Sequence, residues 1–323
     1  MPPGPPDISV VVATRQRAGR LAALLASLRE QELSAQRFEV IVVDDGSTDQ
    51  TDAVLAAEQE QGGLALSVLR HAGGGGPGAV RNRGWPAARA PLIAFTDDDC
   101  EADPEWLAAL LAAWSGDDLE ILQGSATPIE AERAGQGPLT YTYDFCEPNL
   151  NYPTCNMAYP AALLARLEGF DAHTFPRTGE DCDLAWRAFA AGGHARFVNE
   201  ARVRHAVVHL DRTAMLRRAW RWGDAMPAFA RHPELRRQRL IHRLFFNWSH
   251  WYLLRLLVAL ALPSGRSLWP LRFWLGRRYV EDRRWAPGED RPSSQALAWN
   301  VVVDSVEMAA VIRGSVRHGT LVL

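Results

Sequence analysis

At 323 residues, 47% hydrophobic and 23% charged, the chain suits one large folded domain with an appendage, or two domains, and excludes a disordered one. Its net charge of −3 hides an asymmetry: residues 1–210 hold 16 arginines against 29 acidic residues, and residues 211–323 hold 19 against 9. All 35 basic residues are arginine, and eight of the 12 tryptophans fall in the second stretch, so the two stretches face different partners. Cys100, Cys146, Cys155 and Cys182 show no CxxC spacing, which points to buried thiols in a reducing compartment. Residues 1–6 have neither a basic n-region nor an apolar h-region, so no signal peptide is expected.

In chain order, Ile8 to Ala13 reads as a buried strand followed by the polar turn Thr14 to Arg17. Leu21, Leu24, Leu25 and Leu28 then recur at helical spacing. Phe38 to Val43 is a second strand, ending at Asp44-Asp45-Gly46-Ser47, and Ser47 with Gln50 fits a capping box. Leu64 to Leu69 is a third strand. The loop Gly73 to Gly78 matches GxGxxG by letter, but it follows the third strand and no GK[ST] appears. It reads as a flexible loop before a helix at Ala79, with Arg81, Asn82 and Arg83 in the first turn, placed to meet a phosphate. Leu92 to Thr96 is a fourth strand, running into Asp97-Asp98-Asp99.

Beyond Asp99 the pattern gives a helix over Pro104 to Trp114, a strand over Leu119 to Ala126, an irregular region over 128–152, a short strand over Cys155 to Tyr159 and a helix from Pro160 to Leu167. Thr178 can cap a helix carrying Glu180 and Asp181 in its first turn, and Arg196 to Asn199 and Arg202 to Val207 are extended. Strands alternating with helices predict an α/β fold with a mostly parallel central sheet, which binds ligands at the carboxyl ends of its strands.

Three carboxylates packed at a strand end repel one another unless a cation or basic groups sit among them. Two readings stand for Asp97 to Asp99, an ion site and a solvated acidic turn leading to the helix at Pro104. Two also stand for Glu180 and Asp181, since first-turn carboxylates favour the helix dipole whatever else they do.

Val10 to Thr14, Val42 to Ser47, Ala79 to Asn82, Asp97 to Asp99, Cys155-Asn156-Met157 and Gly179-Glu180-Asp181 occur in the order seen in family 2 glycosyltransferases. The chain resembles that inverting, nucleotide-sugar-dependent family over residues 7–210. The resemblance implies a GT-A fold over residues 1–210, with a nucleotide-sugar half to about residue 99 and an acceptor half from residue 100, before a helical extension over 211–323. It implies that Asp97 and Asp99 hold Mn2+ or Mg2+, with His205 either a further ligand or an ordinary strand residue. Thr14, Gln16, Arg17, Asp45, Arg81, Asp97 and Asp98 are the implied donor contacts, with a UDP-sugar the expected donor. Asp181 is the implied general base, beside Glu180. Ala13 and Gln16 depart from the family's Pro and Asn or Tyr in the first motif. Arg218 to Trp222 is similar to the Gln-x-x-Arg-Trp motif of processive synthases, with Arg for Gln, but the membrane spans of those enzymes are not expected here.

A nucleotidyltransferase of related fold needs a glycine-rich loop after the first strand, and Thr14 to Arg17 has no glycine. An inactive scaffold of the same fold has no need of Asp97, Asp99 and Asp181 together. From Arg212 the chain reads as helices. Leu244 to Leu262 is the most apolar stretch, but Asn247, His250 and Arg255 interrupt it, short of the ~20 apolar residues of a span. Trp248, Trp251, Tyr252, Trp269 and Trp274 among arginines suit either peripheral contact with the inner face of a membrane, and so a lipid-linked glycan acceptor for a cytoplasmic enzyme, or a helical cap. Gln295 to Val316 reads as an amphipathic helix available to the core or to a homodimer. Arginines interleaved with apolar runs do not read as a nucleic-acid surface.

Overall fold

The strand β1 (Ile8–Thr14) is buried at every position but Ala13, because parallel neighbours cover both edges and helices cover both faces. The computed structural model describes residues 4–262, 269–282 and 293–323. Expectations for Met1 to Pro3, and for the extension at 263–268 and 283–292, fall outside these residues.

The chain divides into two compact units, one from Met1–Arg133 and Thr142–Val207, the other from Ala134–Tyr141 and Val208–Leu323. In the first, β1, α1 (Ala18–Arg29), β2 (Phe38–Asp44), α2 (Thr51–Gln61), β3 (Leu66–Arg70), α3 (Gly76–Gly84), β4 (Leu92–Asp97) and β5 (Cys100–Ala102) follow in order. Next come α4 (Trp106–Ala113), β6 (Glu120–Pro128) and α5 (Glu130–Arg133). The second unit takes the short β7 (Thr140–Tyr141), and the first resumes with β8 (Met157–Pro160), α6 (Ala161–Arg166), α7 (Glu180–Ala190) and β9 (His194–His205).

The sheet of the first unit runs β3-β2-β1-β4-β8-β6-β9-β5. The first four strands are parallel, β8 is antiparallel to both β4 and β6, β6 and β9 are parallel, and β5 is antiparallel to β9. Leu21, Leu24, Leu25 and Leu28 of α1 pack with Val10, Val12 and Trp106 in one core, each leucine contributing about 2 kcal/mol by burial. On the opposite face α3 lies against β1 and β2: a Cβ on Gly84 would sit 2.7 Å from Val11 and 2.9 Å from Val43.

Several local expectations are corrected. α3 begins at Gly76, with Pro77 in its first turn, so the glycine loop enters the helix and Arg81 and Arg83 lie in its last turn. Ser47 caps nothing. Its hydroxyl accepts from Gln16 N at 2.9 Å, while Asp49 Oδ1 accepts from Thr51 N at 3.1 Å. Thr178 is not the cap of α7 either; Gly179, left-handed at φ 95°, precedes the helix. Arg196 to Val207 is not two segments, since β9 is continuous to His205, with a register shift against β6 at Gly124/Ser125.

The second unit pairs β7 with β10 (Val208–His209) and continues as α8 (Arg212–Arg221), α9 (Met226–Arg231), α10 (Pro233–Arg239), α11 (Trp248–Ala261), α12 (Trp269–Asp282) and α13 (Ser294–Arg317). Asp211 caps α8 through Ala214 N at 2.7 Å. Gly314 of α13 meets the backbone of Gly223 so closely that neither glycine leaves room for a Cβ. Leu253, Tyr279 and Met308 pack α11, α12 and α13 together, and the Tyr279 hydroxyl donates to buried Asp304 Oδ2 at 2.6 Å. Among the described residues α13 alone is long and apolar enough to cross a membrane, but Asn300, Asp304 and Glu307 are buried along it, as suits a bundle helix.

Candidate active site

Parallel register fixes the site. Thr14 of β1 lies beside Asp44 of β2, and Ala13 lies beside Asp97 of β4. The polar segments that follow these strands therefore emerge at one sheet edge.

At the end of β4 the chain turns through Asp98 and Asp99 into β5. Asp98 is buried; Oδ2 accepts from Thr14 Oγ1 at 2.8 Å and Oδ1 from Arg17 Nη1 at 2.8 Å. The same Arg17 nitrogen donates to Asp99 Oδ2 at 2.7 Å, so one guanidinium N–H group spans two buried carboxylates. Burial pushes the Asp98 carboxyl up to about 6, with Arg17 opposing and the Asp99 charge adding.

β5 and β9 pair Cys100 with His205, which brings His205 Nε2 to 3.5 Å from Asp99 Oδ1. The other ring nitrogen, Nδ1, lies 2.7 Å from Ala206 O, which can only accept, so Nδ1 donates there and Nε2 faces the carboxylate. Asp99 Oδ1 is buried with no hydrogen-bond partner among the described residues. A carboxylate oxygen and an imidazole nitrogen so placed can share a proton or a metal ion. Ligand atoms of Asp99, Cys100 and His205 all lie within 4.8 Å of one another; this group does not include Asp97, and its carboxylate and imidazole suit a transition ion such as Mn2+ better than Mg2+.

On the β2 side, Asp45 is buried and held from three directions. Its amide donates to Thr14 O at 2.9 Å, its Oδ1 meets His71 Nδ1 at 2.6 Å, and its Oδ2 accepts from Arg15 at 3.3 Å. Gln16 is exposed at φ 55° and its side chain donates to Thr48 at 2.8 Å. Sequence reasoning missed His71 and Arg15. His71 follows the end of β3 just as Asp45 follows the end of β2, and β2 and β3 pair Asp44 with Arg70, so the strand register was the signal.

Arg81, buried near the end of α3, joins the two carboxylate groups of the edge. Nη2 donates to Asp97 Oδ1 at 2.7 Å and Nη1 to Glu180 Oε1 at 3.2 Å. Burial works against the Arg81 charge, but Asp97, Glu180 and Asp181 more than restore it. Glu180 is raised by burial, with Arg81 opposing. Asp181, half-buried with Oδ1 accepting from Cys182 N at 2.8 Å, is pushed up to about 8, first by burial and then by the Glu180 charge. A third carboxylate of α7, Asp183, is buried and accepts from Arg187 Nε at 2.7 Å, and the same guanidinium donates to Leu167 O and Gly169 O. The arrangement supplies ion ligands, a fixed cation and a carboxylate whose basicity lies near neutral pH.

The family described as Glycosyl transferase family 2 matches residues 9–170, and Glycosyl transferase family group 2 matches residues 92–276. A pre-mycofactocin glycosyltransferase of Mycobacterium tuberculosis is 31% identical over 250 residues, covering 72% of this chain and 50% of that protein. A validoxylamine A glucosyltransferase of Streptomyces hygroscopicus is 31% identical over 221 residues, covering 58% and 52%. The chain thus spans about half the length of these curated relatives. Among solved structures, the mannosyltransferase PcManGT of Pyrobaculum calidifontis, in complex with GDP-Man and Mn2+, superposes with a TM-score of 0.62 at 20% identity, covering 94% of this chain and 87% of that one. Residues 1–349 of S. aureus TarS, in complex with UDP-GlcNAc, superpose with a TM-score of 0.52 at 18% identity, covering 97% and 92%. With the sheet described above, these neighbours show the GT-A fold with a C-terminal helical region.

Proposed function

The chain belongs to glycosyl transferase family 2, and on that premise we propose that it is a metal-dependent inverting glycosyltransferase moving a sugar from a nucleotide-sugar to a hydroxyl acceptor. The observation that carries this reading is the Arg81 bridge. It ties Asp97, at the end of the β4 strand, to Glu180, beside Asp181, at one sheet edge. An enzyme that breaks a glycosyl–phosphate bond while activating an acceptor needs those two chemistries side by side.

In this reading Asp45, with His71 and Arg15, faces the nucleobase, and Thr14 and Gln16 line the same end. Asp99 and His205 would hold Mn2+ or Mg2+, with Asp97, at the end of β4, as the further ligand that the family resemblance implies. When bound, the ion supplies Lewis-acid stabilisation of the diphosphate leaving group. Arg81 fixes Asp97 and places positive charge toward the departing phosphates. Asp181, in its ionised form, takes the acceptor proton, so the base becomes available as pH rises toward about 8. With one base, displacement is single and the anomeric configuration inverts. Arg17 donates to Asp99 Oδ2 while Oδ1 faces His205, so it would share Asp99 with a bound ion and place a guanidinium beside the diphosphate. We take a UDP-sugar as donor, in keeping with TarS, although PcManGT carries GDP-Man. A lipid-linked glycan at the cytoplasmic face of a membrane is the proposed acceptor, supported by the basic, tryptophan-rich helices.

The test is a panel of UDP- and GDP-sugars, read as hydrolysis with and without Mn2+. One donor is expected to turn over only with the ion; no turnover or ion-assisted binding of any donor would remove the reading.

A further inference from the structure

We infer that the α11–α12 helix pair is a docking element for an anionic lipid surface. Every large hydrophobic side chain exposed among the described residues belongs to the second unit, and eight of the 14 cluster where α11 ends and α12 begins, with Trp248 a ninth at the start of α11. The eight are Leu257, Val258, Leu260 and Leu262 at the end of α11 and Trp269, Leu271, Phe273 and Trp274 at the start of α12. Phe273 is 73% exposed and Trp269 is 65% exposed, in a protein whose first unit exposes none of comparable size among its described residues. The two helix ends lie together, because Arg272 of α12 donates to Ala259 O at 3.0 Å and Leu262 O at 3.2 Å, closing the carboxyl end of α11. A contiguous apolar patch of this kind marks an interaction surface.

Charge selects the partner. From Leu235 to Val280 the chain has nine arginines and no aspartate or glutamate. Arg255 stacks over Trp251 at 4.8 Å and Arg278 over Trp274 at 5.7 Å, so cations lie on aromatic rings, although Arg277 and Arg278 also share the one carboxylate of Glu281, at 2.7 and 3.4 Å. Tryptophan and arginine around an apolar tip match a bilayer surface, with hydrocarbon beneath and anionic headgroups around it. A second copy docking by the same face would set arginines against arginines, which disfavours self-association. At 14 residues each, with Arg255 inside α11 and Arg272 inside α12, the helices are too short and too charged to span and suit insertion to the headgroup–acyl boundary. This inference agrees with a lipid-linked acceptor, but its test needs neither donor nor acceptor.

The experiment is flotation of the full chain with phosphatidylcholine vesicles, with and without phosphatidylglycerol, at low and high salt. Wild type is expected to float with the anionic vesicles only, and to detach as salt rises. Trp269→Glu with Phe273→Glu is expected to lose at least tenfold in binding, with circular dichroism, melting temperature and donor hydrolysis unchanged. Arg277→Gln with Arg278→Gln is expected to lose several-fold and to flatten the salt dependence. Equal binding to neutral vesicles, undiminished binding of the Trp269/Phe273 variant, or a dimer that this variant converts to monomer with no vesicle binding by wild type, would each overturn the inference. Vesicle binding without turnover of any donor would instead count against the glycosyltransferase reading and leave this one standing.

Discussion

Arginine, the chain's sole basic residue type, does different work in the two units. In the first, Arg17 spans Asp98 and Asp99, and buried Arg81 spans Asp97 and Glu180; each neutralises a pair of carboxylates that would otherwise repel. In the second, Arg218 lies 4.3 Å from the Tyr141 ring centre, and Arg255 and Arg313 lie 4.8 Å from those of Trp251 and Trp220. The first unit gathers arginines around clustered carboxylates, and the second lays several over aromatic rings while pairing others with Glu234, Glu281 and Asp224. Charge placement, more than net charge, separates a site for chemistry from a surface for docking.

The sharpest way to break this comparison is to remove the proposed base. Asp181→Asn is expected to lower kcat by about 10³-fold while donor binding, read by titration calorimetry, stays unchanged. Unimpaired turnover would remove the base assignment. Arg81→Ala leaves half-buried Asp97 and buried Glu180 without their shared cation, and should cost about 3 kcal/mol in denaturant unfolding, whereas Arg255→Ala in the second unit should cost less than about 1 kcal/mol. Equal losses would mean that the two kinds of arginine are not distinct. Arg17→Ala should tighten Mn2+ binding several-fold, read by electron paramagnetic resonance, while raising the donor KM. Weaker Mn2+ binding would make Arg17 a support for the ion site.

The smallest effect is on stability against pH. Asp181 in the unfolded chain titrates near 3.8, and the fold holds its proton to about 8. Between those values the folded chain binds more protons, so this group's contribution to stability is present below 3.8 and is lost as pH rises through about 8. Wild type should lose a few degrees of melting temperature across that window, and Asp181→Asn should lose less.

The alternating apolar strands and the leucine face of α1 were legible because burial on both faces of a parallel sheet leaves a continuous signal. The convergence of Thr14, Asp45 and Asp97 followed from strand ends alone. Helix starts were less legible, since several side chains compete for each cap. Asp49 took the position expected of Ser47 because the Ser47 hydroxyl receives the Gln16 amide. The three-residue β5 has too little pattern to read, yet it is the element that sets Cys100 opposite His205. Arg17 as a bridge between Asp98 and Asp99 depends on how the Thr14 to Arg17 turn bends, which no residue spacing encodes.

Mn2+ resonance titrated with the preferred nucleotide-sugar tests the acidic unit most directly, comparing wild type with Asp99→Ala. Free-ion signal should fall only when wild type, ion and nucleotide-sugar are together, and the variant should leave it intact. Equal loss of signal with both proteins would contradict an ion held at this sheet edge.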